Sequence, residues 1–147
     1  MRLTKQSNYT VRALVYCAAN DPNLSRVSDI AKAYAISEMF LFKLIKPLVG
    51  SGIIETMRGR NGGIRLAKSA SSITILEAIQ ASEDFKLTES FVDPSQELIA
   101  EQEFNAILKE ALKSFFDVLQ GYTIADLITD GTQIRQVLGI RSDQPEH

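Results

Sequence analysis

The stretch from Ser37 to Lys68, SEMFLFKLIKPLVGSGIIETMRGRNGGIRLAK, changes its hydrophobic period at Gly50 and Gly52, and few folds accommodate that change. Before the glycines, Ile36, Phe40, Leu41, Leu44, Ile45 and Leu48 recur at the steps of three and four that give a helix one buried face. After them, IIETMRG and GIRLAK read as two short strands joined through Gly59-Arg60-Asn61-Gly62-Gly63, whose glycines are expected to supply the positive φ of a tight hairpin. A glycine-rich loop can instead cradle a phosphate. Such a loop follows a buried apolar strand, feeds a helix and ends on a lysine and a hydroxyl residue. This one follows a charged strand and feeds another strand, so the hairpin is the reading that fits.

Upstream, a helix is expected from about Lys5 to Asn20, with Tyr9, Ala13, Leu14 and Cys17 at helical spacing and a stop at Asp21-Pro22-Asn23. Ser28 is expected to cap a short helix, DIAKAYA, and Ser37 a third, EMFLFKLIKPLVGSG, which Pro47 should kink or end. Two helices joined by so short a turn, the second one basic, form the pattern of a helix-turn-helix, and a hairpin after it is a wing. The fold class is therefore mainly α with a small β wing. Thr74 caps a further short helix, ILEAIQAS. Residues 83–101 read as a loop interrupted by Pro94. A long helix should then run from about Gln102 to Leu119, with Phe104, Ile107, Leu108, Ala111, Leu112, Phe115, Phe116 and Leu119 on one wide stripe. That stripe suits a dimer helix, packing within its own chain, or both. Thr123 caps IADLIT, and RSDQPEH reads as a frayed tail. The organisation is a winged helix-turn-helix domain (1–82), a loop (83–101) and a dimerisation helix with a C-terminal segment (102–147).

The formal net charge of −2 conceals an asymmetry. Residues 1–68 hold 11 Lys+Arg against 4 Asp+Glu, and residues 69–147 hold 5 against 14, so a basic half precedes an acidic one. Such a split suits a basic domain that meets an anion, although chance, or attraction between the halves, is the plainer alternative. If the third helix reads DNA, the core spacing leaves Glu38, Met39, Phe42, Lys43 and Lys46 facing outward. Lysines there neutralise phosphates, and apolar side chains in a major groove can touch thymine methyls. Phe42 could equally pack against the wing or the first helix. Ser28 and Ser37 stand near helix starts as caps or contacts. In the wing, Arg58, Arg60 and Asn61 suit phosphate or minor-groove contacts, or a merely solvated turn. Arg2, Thr4 and Lys5 at the start of the first helix could add backbone contacts.

No nucleophile–base pairing, metal-ligand spacing or nucleotide loop points to an enzyme. The single cysteine excludes an internal disulfide, and no run approaches the roughly 20 apolar residues of a membrane span. The start, MRLTKQSNYT, lacks the apolar stretch of a secretory signal, and a cytoplasmic protein is the expectation.

MRLTKQSNYTVRALVYCAAN, IAKAYAISEMFLFKLIKPLVGSGIIETMRGRNGGIRLAK and YTIADLI together resemble the Rrf2 family of bacterial winged-helix regulators. MRLTKQ, YCAAND and RGRNGGIRL look nearest to its rhizobial iron-regulator branch. The resemblance covers nearly the whole chain. It implies a homodimer joined through the long helix, two winged domains on a palindromic operator, and usually repression of iron- or redox-linked genes. Sensing members of that family hold an iron–sulfur cluster on three cysteines in the loop before the long helix. Here that loop has no cysteine; Ser90, Ser95 or Gln96, and Gln102 stand roughly where ligands would be, and Asn8 near an additional one. Hydroxyls and amides replace thiolates poorly on iron, so no cluster or other metal cofactor is expected. Cys17 reads as a small core residue or, less simply, a redox switch. Glu83, Asp84, Glu89 and Asp93 form a solvated acidic loop or a site for another metal, and His147, the only histidine, argues against a histidine-based site. The competing function is an interaction protein that pairs with a cluster-bearing relative or another partner.

Overall fold

The computed structural model describes residues 3–82 and 99–141, with side chains described for all of these except 99–101. In chain order the elements are α1 (Lys5–Asn20), α2 (Val27–Tyr34), α3 (Glu38–Gly50), β1 (Ile54–Met57), β2 (Gly63–Leu66), a 3₁₀ turn (Ala70–Ser72), α4 (Ile75–Ser82), α5 (Ile99–Gln120), a second 3₁₀ turn (Ile124–Leu127) and α6 (Gly131–Leu138). The architecture is mainly helical with one two-stranded antiparallel wing.

One apolar core gathers the inner faces of α1, α2, α3 and α4 with the wing strands. Leu14, Ile30, Leu41, Leu48, Ile53 and Ile73 are sealed from solvent. The start of α3 is fixed by Ser37, whose side chain accepts from the Phe40 backbone N–H at 3.1 Å, as a good N-cap should. α2 begins earlier than the sequence suggested. The Arg26 carbonyl accepts from Asp29 and Ile30, so Arg26 is the N-cap and Ser28 lies inside the first turn, exposed. Between α2 and α3, Ala35 turns the chain at φ 52°, and the Ile36 N–H returns to the Ala31 carbonyl at 3.0 Å. α3 passes through Pro47 to Gly50; Pro47 is exposed, so the carbonyl it leaves without a helical donor has access to water. Gly52 (φ 74°) then reverses the chain, with the Ile53 N–H returning to the Leu48 carbonyl at 3.0 Å.

The wing pairs Ile54 with Leu66, Glu55 with Arg65, Thr56 with Ile64 and Met57 with Gly63. Its outer edge is tied to the α1–α2 connection, where Ser25 and Ile64 exchange backbone hydrogen bonds at 2.8 Å each. The side chain of Asn20 holds that connection from beneath, donating to the Ser25 Oγ at 2.9 Å and the Leu24 carbonyl at 3.2 Å. The glycines differ from the expectation that all turn the chain. Only Gly59 in this loop has positive φ (112°). Gly62 and Gly63 are there for space: a Cβ would lie 2.2 Å from the Met57 carbonyl oxygen at the first and 2.6 Å from the Ser25 carbonyl oxygen at the second.

Thr74 caps α4, accepting from the Glu77 N–H at 3.0 Å. α5 starts at Ile99, inside the stretch read as loop, and its 22 residues make it about 33 Å long. The chain then returns to the domain: Ile75 N–H donates to the Tyr122 carbonyl and Ile124 N–H to the Ile73 carbonyl, both at 2.9 Å, while Ile124 is fully buried. Thr123 opens a 3₁₀ turn whose Asp126 carboxylate accepts from the Thr123 N–H at 2.7 Å. A helix absent from the sequence reading follows. α6 is capped by Asp130, whose carboxylate accepts from the Thr132 and Gln133 N–H groups at 3.1 Å each. Arg135 locks α6 to the end of α1, donating to the Ala19 carbonyl at 2.6 Å and the Asp21 carbonyl at 3.3 Å. The RSDQPEH tail beyond Arg141, and residues 83–98 of the expected loop, lie outside the described residues.

The two kinds of glycine give a paired prediction. Gly63→Ala, which drives a methyl into fixed backbone, should destabilise the protein by about 1–3 kcal/mol. Gly50→Ala, at a helical position with nothing within 4 Å, should be neutral or stabilising by about 0.5–1 kcal/mol. Thermal unfolding of both variants checks this; equal effects would mean that the Ser25–Ile64 contact is not tight.

Candidate nucleic-acid interface

A 3.6-residue helix turns 100° per residue, so the side chains of α3 sort by arithmetic. Leu41, Leu44, Ile45 and Leu48 fall on one side and are buried. Met39, Phe42, Lys43 and Lys46 fall within an arc of about 100° on the opposite side, and all four are exposed. Glu38 borders that arc and is exposed in the first helical turn, where a carboxylate complements the helix dipole. Phe40, on the flank, meets Tyr9 edge-on with ring centroids 5.8 Å apart, fixing α3 against α1. The Arg12 guanidinium lies 5.3 Å from the Tyr9 ring and 5.8 Å from the Tyr34 ring, and the Tyr34 hydroxyl donates to the Arg12 carbonyl at 2.8 Å. These contacts hold α1, α2 and α3 in one rigid relation. Phe42 takes no part in these ring contacts and is 56% exposed.

Some cations pair within the chain, and others, Arg26 and Lys32 among them, have no carboxylate partner among the described residues. Arg65 is ion-paired with its cross-strand partner Glu55, and Lys68 with Glu77 at 2.5 Å. Among the described residues, Lys43, Lys46, Arg58 and Arg60 have no carboxylate partner, so their charge is free to meet an outside anion. Arg58, Arg60 and Asn61 are exposed at the wing tip. Met57, 49% exposed beside them, was not singled out by the sequence reading. Thr4 is the N-cap residue of α1 and Lys5 its first residue, both exposed; Arg2 lies outside the described residues.

The α5 stripe is open to solvent. Phe104 is 59% and Ile107 62% exposed, Leu108 and Ala111 are also exposed, and Leu112, Phe115, Phe116 and Leu119 are half-buried. Val118 and Tyr122, not named from the sequence, extend the same apolar exposure. Phe104, Leu108, Ala111, Phe115 and Val118 follow steps of four and three, the 3.5-residue repeat of a helix seam.

Comparison with known proteins adds a family. The family described as Rrf2, iron-dependent transcriptional regulator, matches residues 3–130. Protein aau3 of Rhizobium meliloti is 50% identical over 143 residues, 95% of this chain and 93% of that protein. The HTH-type transcriptional regulator NsrR of Bacillus licheniformis is 39% identical over 142 residues, 94% of this chain and 99% of that one. Among solved structures, CymR, the global cysteine regulator of B. subtilis, superposes with a TM-score of 0.70 at 25% identity, covering 88% of this chain and 99% of its own. The matched family and these regulators place the chain among transcriptional regulators and not among enzymes.

The words "iron-dependent" ask which side chains here could hold iron. Cys17 is the one thiol in the sequence, and it is 1% exposed in the core. Burial pushes its pKa from 9.0 up to about 12, a rise that a hydrogen bond with Ser25 only partly offsets. It is a protonated core residue, unsuited to a cluster that needs several thiolates. Asn8 and Gln102 are exposed, while Ser90, Ser95, Gln96 and the acidic residues Glu83, Asp84, Glu89 and Asp93 lie outside the described residues. Among the described residues, no three His, Cys, Asp or Glu side chains gather as metal ligands. No described helix is long and apolar enough to cross a membrane.

Cys17 yields a pH prediction. Because its folded pKa lies above its unfolded value, the unfolded chain gives up the proton first. Stability is complete below about pH 9 and falls as pH rises towards 12. Tyr34, raised from 10.0 to about 12 mainly by burial, adds a loss of the same sign above pH 10. Denaturant titrations between pH 8 and 11 should show this decline, and Cys17→Ala should flatten its lower part. A thiol that reacts with a disulfide reagent at neutral pH as fast as the unfolded chain would contradict the assignment.

Proposed function

The chain belongs to the Rrf2 family of transcriptional regulators, and on that premise we propose that it is a homodimeric repressor that binds a palindromic operator and works without an iron–sulfur cluster. The observation that carries the DNA-binding residues is the unpaired charge on the outer face of α3 and at the wing tip. Lys43 and Lys46 stand on the outer face of α3, and Arg58 and Arg60 at the wing tip, while Arg65 and Lys68 are held in internal ion pairs. α3 enters a major groove, Lys43 and Lys46 meet the flanking phosphates, and the wing lays Arg58, Arg60 and Asn61 on the backbone or in the adjoining minor groove. Ser37 stays occupied as the α3 cap. Thr4 and Lys5, and Arg2 before them, add backbone contacts at the start of α1.

The exposed α5 seam supports a homodimer, since burying large apolar side chains on a second copy removes them from water at roughly 25 cal/mol per Å². The acidic balance of residues 69–147 fits a half that faces away from DNA. An operator link to iron or redox genes is supported by the family's description and by the NsrR and CymR relatives. The lack of a cluster is supported by the cysteine count and by the sealed, protonated Cys17.

The partition of cations sets the test. Binding to an operator duplex, followed by fluorescence anisotropy across a salt series, should weaken with Lys43→Ala, Lys46→Ala or Arg60→Ala, each lowering the salt slope by about 1 per bound chain. Arg65→Ala, which removes a charge already held by Glu55, should leave affinity and slope nearly unchanged. The same titrations should saturate at two chains per duplex. An Arg65 effect equal to that of Arg60, or saturation at one chain, would overturn this assignment.

A further inference from the structure

We infer that Met39 and Phe42 read thymine methyl groups, so that each operator half-site carries thymines at two neighbouring positions; this rests on α3 entering the major groove. Apolar side chains held in water are costly unless something covers them. Met39 is 74% and Phe42 56% exposed, well above Val49 at 38%, the other exposed large apolar residue of α3. They stand three residues apart, on one face of the helix. Lys43 and Lys46 share that face and have no carboxylate partner among the described residues. An apolar pair set among free cations suits an occupant that is a polyanion with apolar groups at its centre. In the major groove of B-DNA, thymine is the base that presents a methyl. A second protein chain would need acidic side chains around an apolar pocket. The acidic half of this chain offers its apolar seam on α5 instead.

The spacing restricts the sequence read. Three residues advance about 4.5 Å along a helix axis, and successive base pairs lie about 3.4 Å apart. Met39 and Phe42 therefore reach thymines on neighbouring base pairs, on either strand. Glu38, beside them, is repelled by phosphates and can accept from a cytosine amino group, which keeps this end of α3 over bases rather than backbone.

The test begins with selection of duplexes from a randomised pool by the full-length protein. In the selected duplex, each thymine is then replaced singly by deoxyuridine, which removes only the methyl. Loss of a methyl contact, taken at roughly 0.8 kcal/mol, corresponds to about a fourfold loss of affinity at each of two neighbouring positions per half-site. Substitution elsewhere should change nothing. The Met39→Ala and Phe42→Ala variants, whose side chains are outside the core and should leave thermal unfolding unaltered, should each bind the thymine and deoxyuridine duplexes equally at one of the two positions. Wild-type indifference to every methyl would overturn the inference, as would unchanged discrimination in both variants. A change of oligomeric state in either variant would assign the pair to a protein interface and overturn it too. If the pool yields no selected duplex, the DNA-binding reading itself fails, and this inference with it.

Discussion

The exchange of backbone hydrogen bonds between Ser25 and Ile64 is the contact on which the geometry of the basic surface depends. A two-stranded hairpin is marginal alone, and its direction relative to a helix is otherwise loosely set. Here its second strand gains a partner on the far edge, in the connection that leads from α1 into α2. Close approach at that edge is possible because residue 63 has no side chain, and Asn20 fixes the opposing backbone from below. Cys17 lies under the same connection, linked to Ser25, which explains a buried thiol without assigning it chemistry. The wing therefore moves with the helix-turn-helix as one body, and Arg58 and Arg60 hold a fixed relation to Lys43 and Lys46.

The charge distribution follows from the same economy of contacts. Arg65 is matched to Glu55 across the wing, Lys68 to Glu77, and Arg135 to the carbonyls that end α1. Cations at the outer surface of α3 and at the wing tip are not matched within the described residues. Surface ion pairs contribute little stability, so leaving these four cations unpaired costs the fold almost nothing while preserving a field for an anionic partner.

The architecture and the outer face of α3 were legible in the sequence, and for a common reason. The α3 core positions and its exposed positions fall on opposite sides of one helix, so finding the first set finds the second. Ser37 and Thr74 were legible as caps because a hydroxyl preceded each apolar run. Other features depended on contacts between distant segments. α6 is a short helix opened by a glycine, and it is held by Arg135 reaching back to α1, which no local pattern reveals. The start of α2 at Val27 rather than after Ser28 follows from the Arg26 carbonyl, a backbone group with no sequence signal. Gly62 and Gly63 looked like turn formers, but their requirement is set by what lies against them. Arg65 could be separated from Arg60 only once the strand register placed Glu55 opposite it.

On the reading proposed above, the charged surface reads DNA in a protein with no iron–sulfur cluster. Fluorescence anisotropy of protein purified with a chelator, titrated with its own upstream DNA and with a scrambled duplex at two salt concentrations, tests it most directly. Binding should be tight and prefer the upstream duplex at both salts, with no gain when iron and sulfide are supplied. Binding that ignores sequence and fades with salt, or that becomes selective only after iron and sulfide are added, would contradict it.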